Sequence, residues 1–187
     1  MSPRNTALAC VAIALALPCL AQAPQKIVAE RSHIRFSFKQ MNVPVEGRFR
    51  AFDATVAFDP KKPEATKAEF EVDLASIDLG SAEGETEAKR KPWLSVEAFP
   101  KAKFVASSVR AASPGKYEAE GPLTIKGHTQ VITAPFTVVD SGGMRTVEGR
   151  FPLRRLQFRI GEGAWSDTET VADEVAVRFR FVIPATK

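Results

Sequence analysis

The last long stretch of the chain, residues 171–183, constrains the fold most strongly. From Val175 to Ile183, valine, phenylalanine and isoleucine occupy every second position, while Arg178 and Arg180 stand on the opposite parity. Side chains in a β-strand point to alternate faces with a period of two, whereas a helix would spread these arginines around its circumference. The stretch is therefore predicted to be a strand with one apolar and one solvated face, as in antiparallel sheets.

The same alternation recurs along most of the chain and predicts an all-β fold. Its parity changes between Phe49 and Phe52, which indicates a β-bulge. Residues 85–91 are charged and helix-friendly, so one short helix within a cover segment is expected there. Eight strands are predicted, near residues 34–38, 47–58, 68–74, 102–106, 117–125, 132–138, 147–153 and 175–183.

Eight antiparallel strands in sequence can close into a barrel, which removes the exposed edges. Such a barrel is either filled by its own side chains or holds one small ligand. Small residues on the predicted inward faces favour an apolar lumen, although a flattened sandwich core would tolerate the same pattern. We expect a phenylalanine at Gly121 or Ala134 to fill that lumen without unfolding the protein. The small inward residues are Ala54, Ala68, Ala106, Ala119, Gly121, Ala134 and Gly149.

The first residues have the layout of an export signal. Arg4 precedes an apolar run over residues 6–17, and the small residues Ala21 and Ala23 follow. Pro18 interrupts this run before it reaches the roughly 20 residues that a membrane span requires. We predict a signal peptide within residues 1–23, cut after Ala21 or Ala23, and a bacterial periplasmic location.

The exported part, residues 24–187, is predicted to be one domain. Both cysteines, Cys10 and Cys19, fall in the leader, so the domain would lack disulfides and thiol chemistry. The chain has 26 basic and 22 acidic residues, mixed in sequence, and no basic block that would indicate nucleic-acid binding. His33 and His128 lie far apart in sequence, and no catalytic or metal-binding motif is present. No enzymatic activity and no metal site are expected.

Several short motifs occur in a fixed order and together resemble a known family. The set resembles the YceI family of secreted, lipocalin-like barrels that bind polyisoprenoids. The resemblance implies an eight-stranded antiparallel barrel around a tunnel for an isoprenoid lipid, either a polyprenyl phosphate or an isoprenoid quinone, with no covalent cofactor. The motifs are Gly47-Arg48-Phe49, Phe58-Asp59-Pro60, Ser76-Ile77-Asp78, Phe99-Pro100-Lys101-Ala102-Lys103-Phe104, Gly121-Pro122-Leu123-Thr124-Ile125-Lys126-Gly127 and Asp173-Glu174-Val175.

Two irregular segments, residues 85–94 and 161–168, resemble the branch of this family found alone or fused to cytochrome b561-type membrane proteins. This implies an alternative function, an interaction module that serves a membrane b-type cytochrome or a related redox partner. In that hypothesis the protein itself does not span the membrane, and its lumen ligand is incidental.

Aromatic and basic residues supply the candidate binding site. Trp93, Phe99 and Trp165 would roof or gate a tunnel, or plug a barrel end. Arg90 and Arg154 are candidates for contact with a phosphate head group because guanidinium forks suit phosphate oxygens, but both could equally be solvated charges. The candidate apolar wall, whose members could also be ordinary core residues, is Phe36, Phe38, Phe49, Phe70, Phe104, Leu123, Phe136, Phe151, Phe179 and Phe181.

Overall fold

A computed structural model describes residues 23–185 and contains one curled antiparallel sheet. The strands are β1 (Gln25–Lys26), β2 (His33–Gln40), β3 (Val43–Phe49), β4 (Phe52–Ala57), β5 (Lys67–Asp73), β6 (Ile77–Asp78), β7 (Lys101–Val105), β8 (Ser108–Ser113), β9 (Lys116–Ile125), β10 (His128–Ser141), β11 (Met144–Arg154) and β12 (Glu174–Pro184), and the helix α1 is Ala82–Lys89. The order of the strands in the sheet is β1-β4-β5-β7-β9-β10-β11-β12-β2-β3-β6, with β8 paired to β9.

The predicted all-β, barrel-like fold is confirmed, with a slightly different strand count. The second predicted strand is divided into β3 and β4, and β8 is additional. The strands β1 and β6 have two residues each, too short to produce an alternating pattern. The leader predicted at the N-terminus lies outside the described residues and stays a prediction.

A bend between β3 and β4 brings the two ends of the sheet together. The strand β3 pairs with β2 and β6, whereas β4 pairs with β5 and β1. At the bend, Arg50 N donates to Ser76 O at 3.1 Å, and Asp73 N donates to Ala51 O at 3.0 Å. Beside it, Val28 N donates to Val182 O at 2.7 Å. The predicted change of parity falls at this bend.

Two-residue turns with positive φ at both positions join three strand pairs, the type I′ geometry that matches strand twist. Lys126 and Gly127 have φ of 51° and 74° between β9 and β10. Gly142 and Gly143 have φ of 58° and 73° between β10 and β11, and Met41 and Asn42 have φ of 50° and 64° between β2 and β3. These turns fix the register, so that each long strand buries one face.

The helix α1 begins three residues before the predicted segment because Ser81 caps it. The Ser81 hydroxyl accepts a hydrogen bond from Gly84 N at 3.2 Å. Just before the cap, Asp78 accepts from Arg48 Nε at 2.7 Å, Arg50 Nε at 3.0 Å and the backbone N of Gly80 at 3.1 Å. Asp78 thereby ties the approach to the helix to β3 and the bend.

We predict that Asp78 makes the fold sensitive to acid. Hydrogen bonds from Arg48, then Arg50, lower the pKa of Asp78 from 3.8 to about 2. The folded state therefore binds this proton more weakly than the unfolded state, and the stabilisation present above about pH 4 is lost as pH falls towards 2. Asp78→Asn should lower the free energy of unfolding at pH 7 and flatten its decline between about pH 4 and pH 2, measured by urea denaturation.

The exposed carboxylate of Glu97 supplies a matched control. Glu97→Gln should keep the acid dependence of the wild-type protein. A decline as steep in Asp78→Asn as in the wild type would contradict this role of Asp78.

Candidate functional site

The curled sheet encloses a cavity of about 390 Å³. Its volume is within the range of about 300–1,000 Å³ that ligand pockets span. The wall is apolar except for the side chains of Gln40, Thr66, Glu87 and Arg155. The structure therefore contains an apolar lumen and not a fully packed core.

All ten residues predicted for the apolar wall line this cavity. The rings of Phe70 and Phe181 stack with centroids 4.6 Å apart, and Phe179 lies 5.3 Å from Phe181, so these rings form a layer across the wall. The ten residues are Phe36, Phe38, Phe49, Phe70, Phe104, Leu123, Phe136, Phe151, Phe179 and Phe181.

Inward alanines and inward glycines have different roles. Ala68, Ala106, Ala119 and Ala134 line the cavity and leave it open. A Cβ at Gly149 would lie 2.3 Å from Phe179 Cζ, so this glycine makes room for a ring.

The expectation that a phenylalanine fits at Gly121 is wrong. A Cβ at Gly121 would lie 2.0 Å from the backbone oxygen of Val105. That oxygen cannot move away easily, because hydrogen bonds from Ala106 N and Ser107 N hold the backbone between β7 and β8 in place. Ala54 is buried but does not line the cavity either. Ala134 remains a suitable position for filling the cavity because its methyl group faces the lumen.

One end of the cavity is closed by an aromatic cluster. The rings of Phe58, Tyr117 and Phe136 lie 5.1–6.1 Å from one another. Arg145 lies over the Phe58 ring at 5.3 Å, donates to Phe58 O at 2.8 Å and pairs with Asp140 at 2.7 Å. A packed, buried cluster with satisfied charges forms a rigid floor.

The opposite end is covered by the two tryptophans, and we call this the lid end. The rings of Trp93 and Trp165 have centroids 5.3 Å apart, and both line the cavity. Gln40, which is exposed, and Glu87 of α1, which is one-third exposed, border the cavity here. The cavity therefore meets solvent at the lid end.

Arg155, and not the predicted Arg154, is the arginine in the cavity wall. It is buried, with 2% of its surface exposed, and it lies 5.7 Å from the centre of the Trp93 ring. It donates to the backbone oxygens of Val171 at 2.6 Å, Ile160 at 2.8 Å, Ala172 at 3.1 Å and Gly161 at 3.2 Å. Burial lowers the pKa of the Arg155 guanidinium, but an arginine remains charged in proteins.

The structure does not bring the other three predicted residues to the cavity wall. Phe99 lies over the turn between β9 and β10, where a Cβ on Gly127 would be 2.8 Å from its ring. Arg90 is exposed, and its guanidinium group lies 3.3 Å from the carboxylate of Glu87, which lines the cavity. Arg154 points outwards and lies 3.4 Å from Asp173.

Lys126 joins the two irregular segments that carry the tryptophans. Its buried ammonium group donates to Arg159 O at 2.6 Å, Glu162 Oε2 at 2.7 Å and Pro92 O at 3.3 Å. The bond from Lys126 lowers the pKa of Glu162. Sequence reasoning placed Lys126 in a motif, but no pattern in the sequence revealed which segments it contacts.

The described residues contain no cluster of acidic, histidine or cysteine side chains that could hold a metal ion. Among residues 23–185, no helix has the length and hydrophobicity needed to cross a bilayer.

Comparisons with known proteins agree with this architecture. The YceI-like domain matches residues 25–183. A UPF0312 protein of Pseudomonas syringae pv. tomato is 33% identical over 111 residues, which are 59% of this chain and 55% of that protein. The chain thus spans about half the length of the first curated relatives it matches. Another UPF0312 protein, from Ectopseudomonas mendocina, is 31% identical over 75% of this chain and 73% of its own.

Solved structures show the same fold. The crystal structure of Burkholderia cenocepacia BcnA has a TM-score of 0.82 and 40% identity, covering 86% of this chain and 99% of that one. A polyisoprenoid binding domain from Saccharophagus degradans has a TM-score of 0.69 and 13% identity, covering 87% and 98%. The second likeness concerns the fold alone.

We predict that Lys126→Met loosens the lid end. The substitution removes the donor to the backbone oxygen of Arg159 and to the Glu162 carboxylate, at a cost of roughly 1–3 kcal/mol for a carbonyl that stays buried, whereas Pro92 O keeps the N–H groups of Gly161 and Glu162. Because the chain's two tryptophans both lie at the lid end, their fluorescence reports on this region alone. We expect increased quenching by acrylamide and faster amide exchange in residues 159–166.

Lys116→Met, at an exposed position at the start of β9, is the matched control and should change neither signal. Unchanged quenching in Lys126→Met would show that the lid end is held by other contacts.

Proposed function

Because this chain belongs to the YceI-like family, we propose that it is an exported binding or carrier protein that holds an isoprenoid lipid in its apolar cavity. The observation that carries the proposal is the largely apolar wall, with its aromatic floor and a lid end that borders solvent. A hydrocarbon chain needs buried area and no polar partners. The wall supplies that area.

Burial of the lipid tail provides the binding energy. Each buried methylene contributes about 0.8 kcal/mol, so a fully buried five-carbon isoprene unit contributes roughly 4 kcal/mol before the costs of association. The stacked rings of Phe70, Phe179 and Phe181 offer flat apolar surfaces to the methyl-branched chain. The tail would extend from the lid end towards Phe58.

The head group would remain at the lid end, where the wall is polar. Gln40 and Glu87 border the cavity, and four of the five N–H donors of Arg155 are engaged by backbone oxygens. The buried Nε1 of Trp93 has no hydrogen-bond partner among the described residues. A head group with acceptor oxygens, such as a quinone or a polyprenyl phosphate, could accept from Trp93 Nε1 and from the remaining N–H of Arg155. Arg90, which pairs with Glu87, would be close enough to this end to contact a phosphate.

Binding without catalysis fits the composition of the wall. Neither histidine of the chain lies in it, and Glu87 is the acidic residue among the described residues that line the cavity. The alternative, a docking module for a b-type cytochrome, would use Trp93 and Trp165 as an outer surface. Their inclusion in the cavity wall supports the carrier instead.

Ala134→Phe should block lipid binding while preserving the fold. The added ring would occupy the lumen, so the overpacking cost of about 1–3 kcal/mol known for filled cores should fall to about 1 kcal/mol or less. The measurement is the amount of lipid co-purified per protein, alongside the thermal midpoint. Thr133→Phe, on the outer face of β10, is the matched control and should retain lipid. A large loss of stability in Ala134→Phe with full lipid content would contradict the proposal.

The direct test is mass spectrometry of the organic extract of protein expressed with its leader and purified without detergent. We expect an isoprenoid lipid near one equivalent per protein, and its mass would distinguish a quinone from a polyprenyl phosphate. A protein that is empty and that also fails to bind added isoprenoids would refute the carrier function and would favour the docking module.

A further inference from the structure

A row of four arginines crosses the outer surface of the sheet, opposite the phenylalanine wall. In the register of the strands, Arg150 on β11 stands opposite Arg178 on β12, Arg178 opposite Arg35 on β2, and Arg35 opposite Arg48 on β3. Neighbouring strands lie about 4.8 Å apart, so the row extends over about 14 Å. We call these four residues the arginine row.

The arginine row is only partly neutralised. Arg48 pairs with Asp78, but among the described residues no ion pair or hydrogen bond joins Arg35, Arg150 or Arg178 to a carboxylate. With the neighbouring Arg50 and Arg180, this part of the surface holds six arginines against three carboxylates, those of Asp78, Glu148 and Glu46. The resulting local charge is +3.

This arrangement opposes stability. Like charges directly opposite one another in a sheet are destabilising, and the row has three such contacts in succession. The positive charges also act on His33, whose pKa is lowered by burial, then by Arg35 and Arg180, while Glu148 raises it. Such a surface gains stability when an anionic partner binds.

We propose that the arginine row is a binding site for a linear acidic polysaccharide, independent of the lipid cavity. A chain with one carboxylate per sugar, lying across the strands, can present successive anions to successive guanidinium groups. Each guanidinium fork matches a carboxylate geometrically and remains charged at all relevant pH values.

The surroundings of the row favour this partner over others. The next positions along the strands are Pro152, Ala176, Ser37 and Glu46 on one side and Glu148, Arg180, His33 and Arg50 on the other. Among them the imidazole of His33 is a single small ring, whereas single-stranded nucleic acids bind on several aromatic rings that stack successive bases. The same positions offer no large apolar side chain that could anchor the surface in a bilayer.

Binding to polygalacturonate, with its methyl-esterified form as the uncharged control, tests the proposal. Replacing Arg35, Arg150 and Arg178 together by glutamine should weaken binding about tenfold or more, and salt should weaken wild-type binding. A variant with Lys61, Lys67 and Lys116 replaced by glutamine carries the same charge change at exposed positions outside the row and should bind nearly as well as the wild type.

Two further measurements separate a binding site from a structural role. Saturation with polygalacturonate should raise the pKa of His33, followed by NMR, because the polymer screens Arg35 and Arg180. The triple arginine variant should melt at the same temperature as the wild type or higher, since like-charge repulsion is relieved.

Four results would overturn the proposal. The first is an equal loss of binding in the lysine variant, which would reduce the effect to net charge. The second is an unchanged pKa of His33 at saturation. The third is a marked fall in the melting temperature of the arginine variant. The fourth is stronger row-dependent binding to phosphatidylglycerol vesicles or to a single-stranded oligonucleotide, which would assign the row to that partner.

Discussion

The bent strand formed by β3 and β4 holds the ends of the sheet together, and the cavity depends on it. An unfilled lumen forfeits the dispersion contacts that a packed core provides. The wall must therefore derive its stability from strand pairing and from packing within the wall itself. The bonds of Arg50 and Asp73 at the bend, and the anchoring of the helix approach by Asp78, are the contacts that close the wall where the sheet would otherwise end.

Two buried cations, Arg155 and Lys126, hold the irregular segments of the lid end together. Irregular segments leave backbone oxygens that no strand can satisfy, and buried backbone acceptors need partners. Arg155 and Lys126 supply those donors, and each contacts segments distant in sequence. They hold the loops that carry Trp93 and Trp165 without the tight strand pairing found elsewhere. The lid end can thus be well defined and still separable from the barrel wall.

Much of this site could be predicted from parity alone. Alternation predicted that ten side chains face inwards, and all ten line the cavity, because a strand has only two faces. The same series, continued from Leu153, places Arg155 inwards and Arg154 outwards, yet guanidinium chemistry alone suggested Arg154. Alternation could not separate Gly121 from Ala134, because the space beside an inward residue depends on the path of a distant chain. The contacts of Lys126 were unpredictable for the same reason.

The inner and outer faces of β2, β11 and β12 are fixed by one register. Phe179 faces the lumen because Arg178 and Arg180 face solvent, and a slip of one residue would exchange them. Burying unpaired guanidinium groups in an apolar lumen would cost far more than the repulsion along the arginine row. That repulsion is therefore tolerable to the fold. It is not required by the fold, since neutral polar residues would define the same outer face. Folding therefore does not explain why Arg35, Arg150 and Arg178 are charged, whereas an anionic partner would.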